Sequence, residues 1–251
     1  MRLLFLTALL GGLCSAVQAA PPGYQPPRRF YTASHQAYRR LPTKFSLGIN
    51  MAYYNGDLTN RLSDNSLRVG LSLGLVRTLS PRVTFGVDLG YVKLKAQDYF
   101  PSRGYSFENT NALLTTFLRY NLIADKSMYF GQNYRRTPVL VFVQAGVGGL
   151  IYNPDLYQNL GGPYPVSVQS ETPAPYPGLA GVLPVGGGVT LRAGQSLSFT
   201  FEGLYYFTTT DLLDGVSQRG NPNSVDGFAT GALKIEYAFG HKKGKPLAHF
   251  D

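Results

Sequence analysis

Large apolar side chains recur at every second position through much of the chain between residues 45 and 239, which is the period of a β-strand. Phe45, Leu47, Ile49, Met51 and Tyr53 alternate with Ser46, Gly48, Asn50 and Ala52. Leu67, Val69, Leu71, Leu73 and Leu75 alternate with Arg68, Gly70, Ser72 and Gly74. Val83 to Tyr91 enclose Thr84, Gly86, Asp88 and Gly90 in the same way. Weaker versions occupy 110–122, 138–152 and 183–192. Two clear ones close the series: Leu197 to Phe207, enclosing Ser198, Thr200 and Glu202, and Leu233 to Phe239, enclosing Lys234, Glu236 and Ala238. The pattern predicts eight strands, an even number.

Period two alone fits both a soluble sandwich, with its apolar face inward, and a membrane barrel, where large apolar side chains meet lipid and small or polar ones fill the lumen. Strand length favours the barrel. The segments run to about 10–14 residues, enough to cross a bilayer with tilt and longer than the usual soluble strand. The minor set is rich in Gly, Ser and Thr, as a narrow eight-stranded lumen requires. Aromatic residues gather toward strand ends, where interfacial girdles sit. The expected fold is therefore all-β, an eight-stranded antiparallel transmembrane β-barrel of the outer-membrane type.

Connection lengths orient it. Ser80-Pro81-Arg82 and Ala193-Gly194-Gln195 read as tight turns, whereas 54–66, 97–109, 153–182 and 210–226 read as long loops. Short turns belong to the periplasm and long loops to the outside, which places both termini in the periplasm. The turn 123–137 is too long for a simple hairpin and needs another reason.

Met1-Arg2, the apolar run to Leu13 and the small residues before Ala19 and Ala20 read as a secretory signal peptide over 1–19. Residues 20–44 carry five Pro and five basic residues without an acid, and read as an extended basic periplasmic tail. The barrel is expected over 45–240, and 241–251 form a second basic tail. The only Cys, Cys14, lies in the leader, and the three His lie near the chain ends. That leaves no thiol nucleophile and no Cys/His metal site in the mature chain, so no cofactor, no nucleic-acid partner and no enzymatic activity are expected. Two catalytic candidates are weak: any buried carboxylate pair lacks an accompanying His, Cys or metal site, and the loop acids Asp211, Asp214 and Asp226 are of a kind ordinarily solvated. Gly146-Val147-Gly148-Gly149 and Gly186-Gly187-Gly188 open no helix after a strand, so they are strand glycines and not nucleotide loops.

Charge carries more information. The net charge of +9 divides unequally on this topology. The turn side collects basic residues, among them Arg28, Arg29, Arg39, Arg40, Arg135, Arg136, Lys242 and Lys243, while nine acids fall in the long loops. These eight basic residues are the expected docking surface for an acidic periplasmic partner, since complementary fields steer association. Inward positions hold a second set: Arg68, Asp88, Arg119, Glu202, Lys234 and Glu236. Three positive and three negative groups would neutralise one another inside a dry lumen and lock it.

Three segments carry a resemblance. These are Tyr53-Tyr54-Asn55-Gly56-Asp57-Leu58; Thr137-Pro138 leading through Phe142–Gly148 to Tyr152-Asn153-Pro154; and Phe207 to Ser217. Together they resemble a family of small Bacteroidota-type outer-membrane barrels, long of unknown function, that includes PorG, a component of the type IX secretion machinery. The resemblance implies an Asn-Pro turn after the fifth strand, no catalytic residues, and a partner in the periplasmic ring of that machinery. The expected role is a non-enzymatic barrel in outer-membrane lipid that anchors or contacts a periplasmic assembly. The alternatives are a stand-alone barrel that binds an extracellular ligand or lipopolysaccharide through its acidic loops, or a small-solute channel.

Overall fold

The computed structural model describes residues 29–55, 65–97, 105–130, 137–158, 166–168, 177–194, 196–210, 212–213 and 226–239. Eight long strands are β3 (Lys44–Asn55), β4 (Val69–Thr78), β5 (Val83–Gln97), β6 (Tyr105–Asn121), β7 (Val139–Gln158), β9 (Gly178–Arg192), β10 (Leu197–Thr208) and β11 (Gly227–Ala238). Of three short ones, β1 (Phe30–Tyr31) and β2 (Ala37–Tyr38) form a separate sheet, and β8 (Val166–Val168) pairs with the end of β7 at Leu156–Gln158. The long strands pair antiparallel in the order β6-β5-β4-β3-β11-β10-β9-β7, and pairing of β6 with β7 closes the ring. Closure leaves no unpaired edge, the condition for a sheet to cross hydrocarbon. Below, the end that carries the start of β3 and the end of β11 is the terminal end, and the opposite one the loop end.

The alternation is inverted relative to a soluble protein. Ile49, Leu71, Leu89, Leu114, Val147, Leu183, Phe201 and Leu233 face outward and are exposed. Ser46, Asn50, Ser72, Thr84, Thr115, Thr190 and Thr200 face inward and are buried. A continuous apolar ring of this size is not sustainable in water, and it is the surface a lipid-facing barrel presents.

The belt ends at a definite row. Tyr91, Ala112 and Ile151 pair across β5, β6 and β7, and the next outward row is Lys93, Thr110 and Asn153. One row further lie Lys95, Glu108 and Asp155, with Lys95 and Glu108 paired at 3.2 Å. The 17 residues of β6 and 20 of β7 exceed the roughly 9–11 needed to span a bilayer, so their loop ends stand clear of it. Polar outward positions explain why these ends read as loops: the apolar alternation stops, but the strand does not. Asn153-Pro154 is likewise inside β7 and not the turn that the family resemblance implies. Pairing of β7 with β9 ends at Tyr152↔Gly178, so Pro154 sits where that neighbour is absent, a position proline tolerates.

The projecting loop end needs its own core. Tyr54, Leu94, Phe107, Leu150, Leu156, Leu213 and Phe228 pack inside it, with Tyr54 edge-on to Phe107 at 4.8 Å and Tyr206 stacked on Phe228 at 4.6 Å. The opposite end is closed by the long turn after β6. Its 3₁₀ segment Lys126–Met128 is capped by Asp125, and Met128 is fully buried. Here the N-terminal segment departs from an extended tail. β1 and β2 form a hairpin, turned through His35 at φ 57°, and Tyr38 bridges to Tyr129. Arg39 N–H donates to Met128 O at 2.9 Å, and Phe130 N–H to Ala37 O at 3.3 Å. The length of the turn is explained by these contacts, because together with the hairpin it makes a floor.

Inward glycines give the interior its room. A Cβ at Gly48 would lie 2.6 Å from Lys234 Cγ, one at Gly74 would strike the Asp88 carboxylate, and one at Gly86 the ring of Phe117. Gly86→Val should therefore force Phe117 off its rotamer and destabilise by about 1–3 kcal/mol. Urea unfolding in lipid vesicles checks this, with Gly194→Val as a control, since a Cβ there meets nothing within 4 Å.

Candidate functional site

The lumen between the apolar loop end and the floor holds an ion network. Arg119, on β6, donates from Nε to Gln144 Oε1 at 2.7 Å, from Nη1 to Glu236 Oε1 at 2.8 Å and from Nη2 to Glu202 Oε2 at 2.7 Å. Its guanidinium also lies 4.8 and 4.6 Å from the ring centres of Phe117 and Phe142. Lys234 pairs with Glu202 at 2.7 Å and with Asp88. Thr200 Oγ1 donates to Glu236 Oε1 at 2.9 Å.

Five of the six inward charges expected from the sequence meet in this network. Arg68 does not: it precedes β4, which begins at Val69, and it is exposed. Its place is taken by Lys44, which reaches Glu236 at 3.1 Å and Ser198 Oγ at 3.0 Å. Lys44 shares the inward phase of Ser46 and Asn50, a signal available in the sequence but masked by counting it with the basic tail. The balance stays three cations (Lys44, Arg119, Lys234) to three carboxylates (Asp88, Glu202, Glu236). Such a set is tolerable in low dielectric only when every member is paired, and removal of one partner strands the others.

Two voids flank the network, each of about 20 Å³, room for roughly one water. Asn50 Oδ1 and Ser72 Oγ have no protein partner and line the one beside Asp88 and Lys234.

Each end has a polar clasp. At the loop end Asp226 is buried. It accepts from Tyr54 Oη at 2.6 Å and from Leu213 N–H at 2.9 Å, while Leu213 O accepts from Asn109 Nδ2 at 2.6 Å. Tyr152 Oη and Thr210 Oγ1 lie 3.1 Å apart beside it. Asp226 is therefore a structural anchor that draws Leu213 into the mouth, and not part of a solvated acid cluster; Asp211 and Asp214 lie outside the described residues. At the terminal end Arg192 Nη1 donates to Asp125 Oδ1 and to Ser127 Oγ, both at 2.8 Å. Burial raises the Asp125 carboxyl, but the hydrogen bonds and charge of Arg192, with help from Ser127, outweigh it and hold the group below its ordinary value of 3.8.

Of the expected docking residues, Arg29, Arg39 and Arg40 are exposed on the hairpin side of the floor. Arg40 lies 4.3 Å from the Phe30 ring centre and Arg29 5.6 Å from that of Phe130, so these two cations lie over aromatic rings of the floor. Arg28, Arg135, Arg136, Lys242 and Lys243 lie outside the described residues. Among the described residues no group of three or more His, Cys, Asp or Glu could hold a metal ion.

A closed antiparallel ring of eight strands, apolar outside and charge-balanced inside, defines an outer-membrane β-barrel in contact with membrane lipid. No family model matches the chain, and no characterised protein matches it in sequence. Among solved structures it is similar to Neisserial surface protein A, at 12% identity over 80% of this chain and 99% of that one, with a TM-score of 0.40. It is also similar to Ail, the attachment invasion locus protein of Yersinia pestis, at 11% identity over 78% and 97% with a TM-score of 0.41. The outer-membrane enzyme PagL is similar at 14% identity over 78% and 99%, with a TM-score of 0.36. The membrane assignment rests on the barrel's own exterior.

Two outcomes follow from the clasped interior. Arg119→Ala should destabilise the barrel by about 3–5 kcal/mol, the cost of stranding buried carboxylates, while Arg68→Ala leaves the urea midpoint unchanged. Asp125, depressed in the folded state, contributes stability that is fully present above its ordinary value and is lost as pH falls through the folded one. Unfolding midpoints measured downward from pH 5 should therefore fall less steeply in Asp125→Asn than in the wild type.

Proposed function

We propose that this barrel is a non-enzymatic, non-conducting outer-membrane anchor whose terminal end faces the periplasm and docks an acidic partner. The observation that carries the reading is the floor. Barrel closure needs only tight turns at this end, as at Ser80–Arg82, yet the chain adds a hairpin and a 3₁₀ turn joined to each other. Arg29, Arg39 and Arg40 project from that platform, and the described acid nearest to it, Asp125, is buried against Arg192. An unopposed cationic surface on a rigid base suits electrostatically steered association. The sequence resemblance to the barrels that include PorG extends this reading: the assembly would be a type IX secretion ring, and the basic pairs Arg135-Arg136 and Lys242-Lys243 of the sequence would take part in the same docking.

The test reverses Arg29, Arg39 and Arg40 to Glu in one variant, and Arg135 and Arg136 in another. Heat-modifiable migration should stay that of a folded barrel, and co-purification of periplasmic proteins should fall with a strong salt dependence. Unchanged co-purification and secretion in both variants would overturn the docking role. Planar-bilayer recordings of the wild type should show no stable conductance, given the paired charges across the lumen and the two water-sized voids beside them.

A further inference from the structure

Beneath the lipid belt, between the β1–β2 hairpin and the β4–β5 turn, lies a groove of about 600 Å³, within the size range of small-molecule sites. Thr32, Ser34 and Gln36 line one wall, Ser80 and Arg82 the other, and Tyr129 closes the back. Its depth in the membrane follows from its neighbours. Tyr120 is an exposed outward residue at the lower edge of the belt and pairs with Val83, the residue after Arg82. The Arg82 guanidinium lies 5.9 Å from the Tyr120 ring centre, and Nη1 donates to Leu122 O at 3.1 Å. Its other nitrogens have no carboxylate partner among the described residues. Leu122 and Ile123 are about half exposed and carry the apolar exterior past the end of β6 to Ala124, which lines the groove.

A molecule in this groove would meet a cation, several hydroxyls and, on one side only, aliphatic surface continuous with the belt. We propose that the groove binds the headgroup of one anionic glycerophospholipid, with the phosphate on Arg82, the glycerol oxygens near Ser80, Ser34 and Thr32, and an acyl chain along Leu122 and Ile123. Continuity with the lipid belt favours this occupant over an acidic peptide, because Arg29, Arg39 and Arg40 do not line the groove. No carboxylate lines it either; Asp125, next to Ala124, is buried against Arg192. The inference depends on the barrel spanning the membrane with its terminal end in the glycerophospholipid leaflet, and not on the docking role.

Native mass spectrometry of the full-length protein tests it, with phosphatidylglycerol, phosphatidylcholine, glycerol 3-phosphate and a hexaglutamate peptide as separate probes. The wild type should retain one phosphatidylglycerol in preference to phosphatidylcholine. Arg82→Gln should reduce that preference about fivefold, the effect of one cation at a lipid surface, and Arg82→Lys should keep most of it. Ser34→Trp, which puts an indole at the groove wall, should weaken it strongly while migration remains that of a folded barrel. Equal retention by Arg82→Gln and wild type, or equal binding of the two lipids, would overturn the proposal. Glycerol 3-phosphate that binds as tightly as the lipid would make this a free-phosphate site, and hexaglutamate that displaces the lipid would make it a peptide site. Either result contradicts the lipid assignment.

Discussion

Arg119 is buried in the lumen with a carboxylate on each of two nitrogens and two phenylalanine rings against its guanidinium. With hydrocarbon outside the wall and voids of about one water within it, charge in this barrel has to be cancelled by charge on a neighbouring strand. The other interior features follow from that requirement. Glycines at positions 48, 74 and 86 open space for Lys234, Asp88 and Phe117. Threonines and serines nearby supply further hydrogen bonds: Thr200 donates to Glu236, and Ser198 accepts from Lys44. Five strands contribute a charge, so the network ties together parts of the wall far apart in sequence.

The network also selects the register. A slip of one residue would turn every side chain of a strand to the other face. Asp88, Arg119, Glu202, Lys234 and Glu236 would then meet lipid, where charges near the midplane cost several kcal/mol each, and Leu89, Leu118, Phe201 and Leu233 would crowd the lumen. Buried ion networks often contribute little net stability over an apolar packing. Here the alternative states are penalised on both faces, so specificity of pairing is the better account of what the charges do. The two ends use different means: an apolar core with Asp226 as its anchor where β6 and β7 project, and a hydrogen-bonded floor around Asp125 and Arg192 at the other.

Much of this is legible in the sequence. Outward and inward sets of β3, β4, β5, β10 and β11 follow from alternation, and five of the network charges follow from phase. The departures have physical causes. Arg68 has the right phase, but it precedes the strand; Lys44 has it too, but its neighbours look like a tail. Loop ends of β6 and β7 lose the apolar period because they leave the lipid, although backbone pairing continues. The start of β11 is hidden by small outward residues, Ala229 and Gly231. The hairpin of β1 and β2 has no periodic signal at all, because two-residue strands pinned by Met128 and Phe130 depend on partners far along the chain. Asp226 reads as one loop acid among nine, and only the contact with Tyr54 and Leu213 distinguishes it.

The ion network crosses the described lumen, and the floor closes over its terminal end. That arrangement depends on the Arg119 guanidinium being held dry between carboxylates. Solid-state NMR of the protein in bilayers, with ¹⁵N in arginine side chains and ¹³C in glutamate carboxyls, measures this directly. The account predicts strong dipolar coupling from the Arg119 guanidinium to the carboxyl carbons of both Glu202 and Glu236, with no fast exchange of its protons with water. Weak coupling to both carboxyls, together with rapid water exchange at Arg119, would contradict it and mean that the lumen is open.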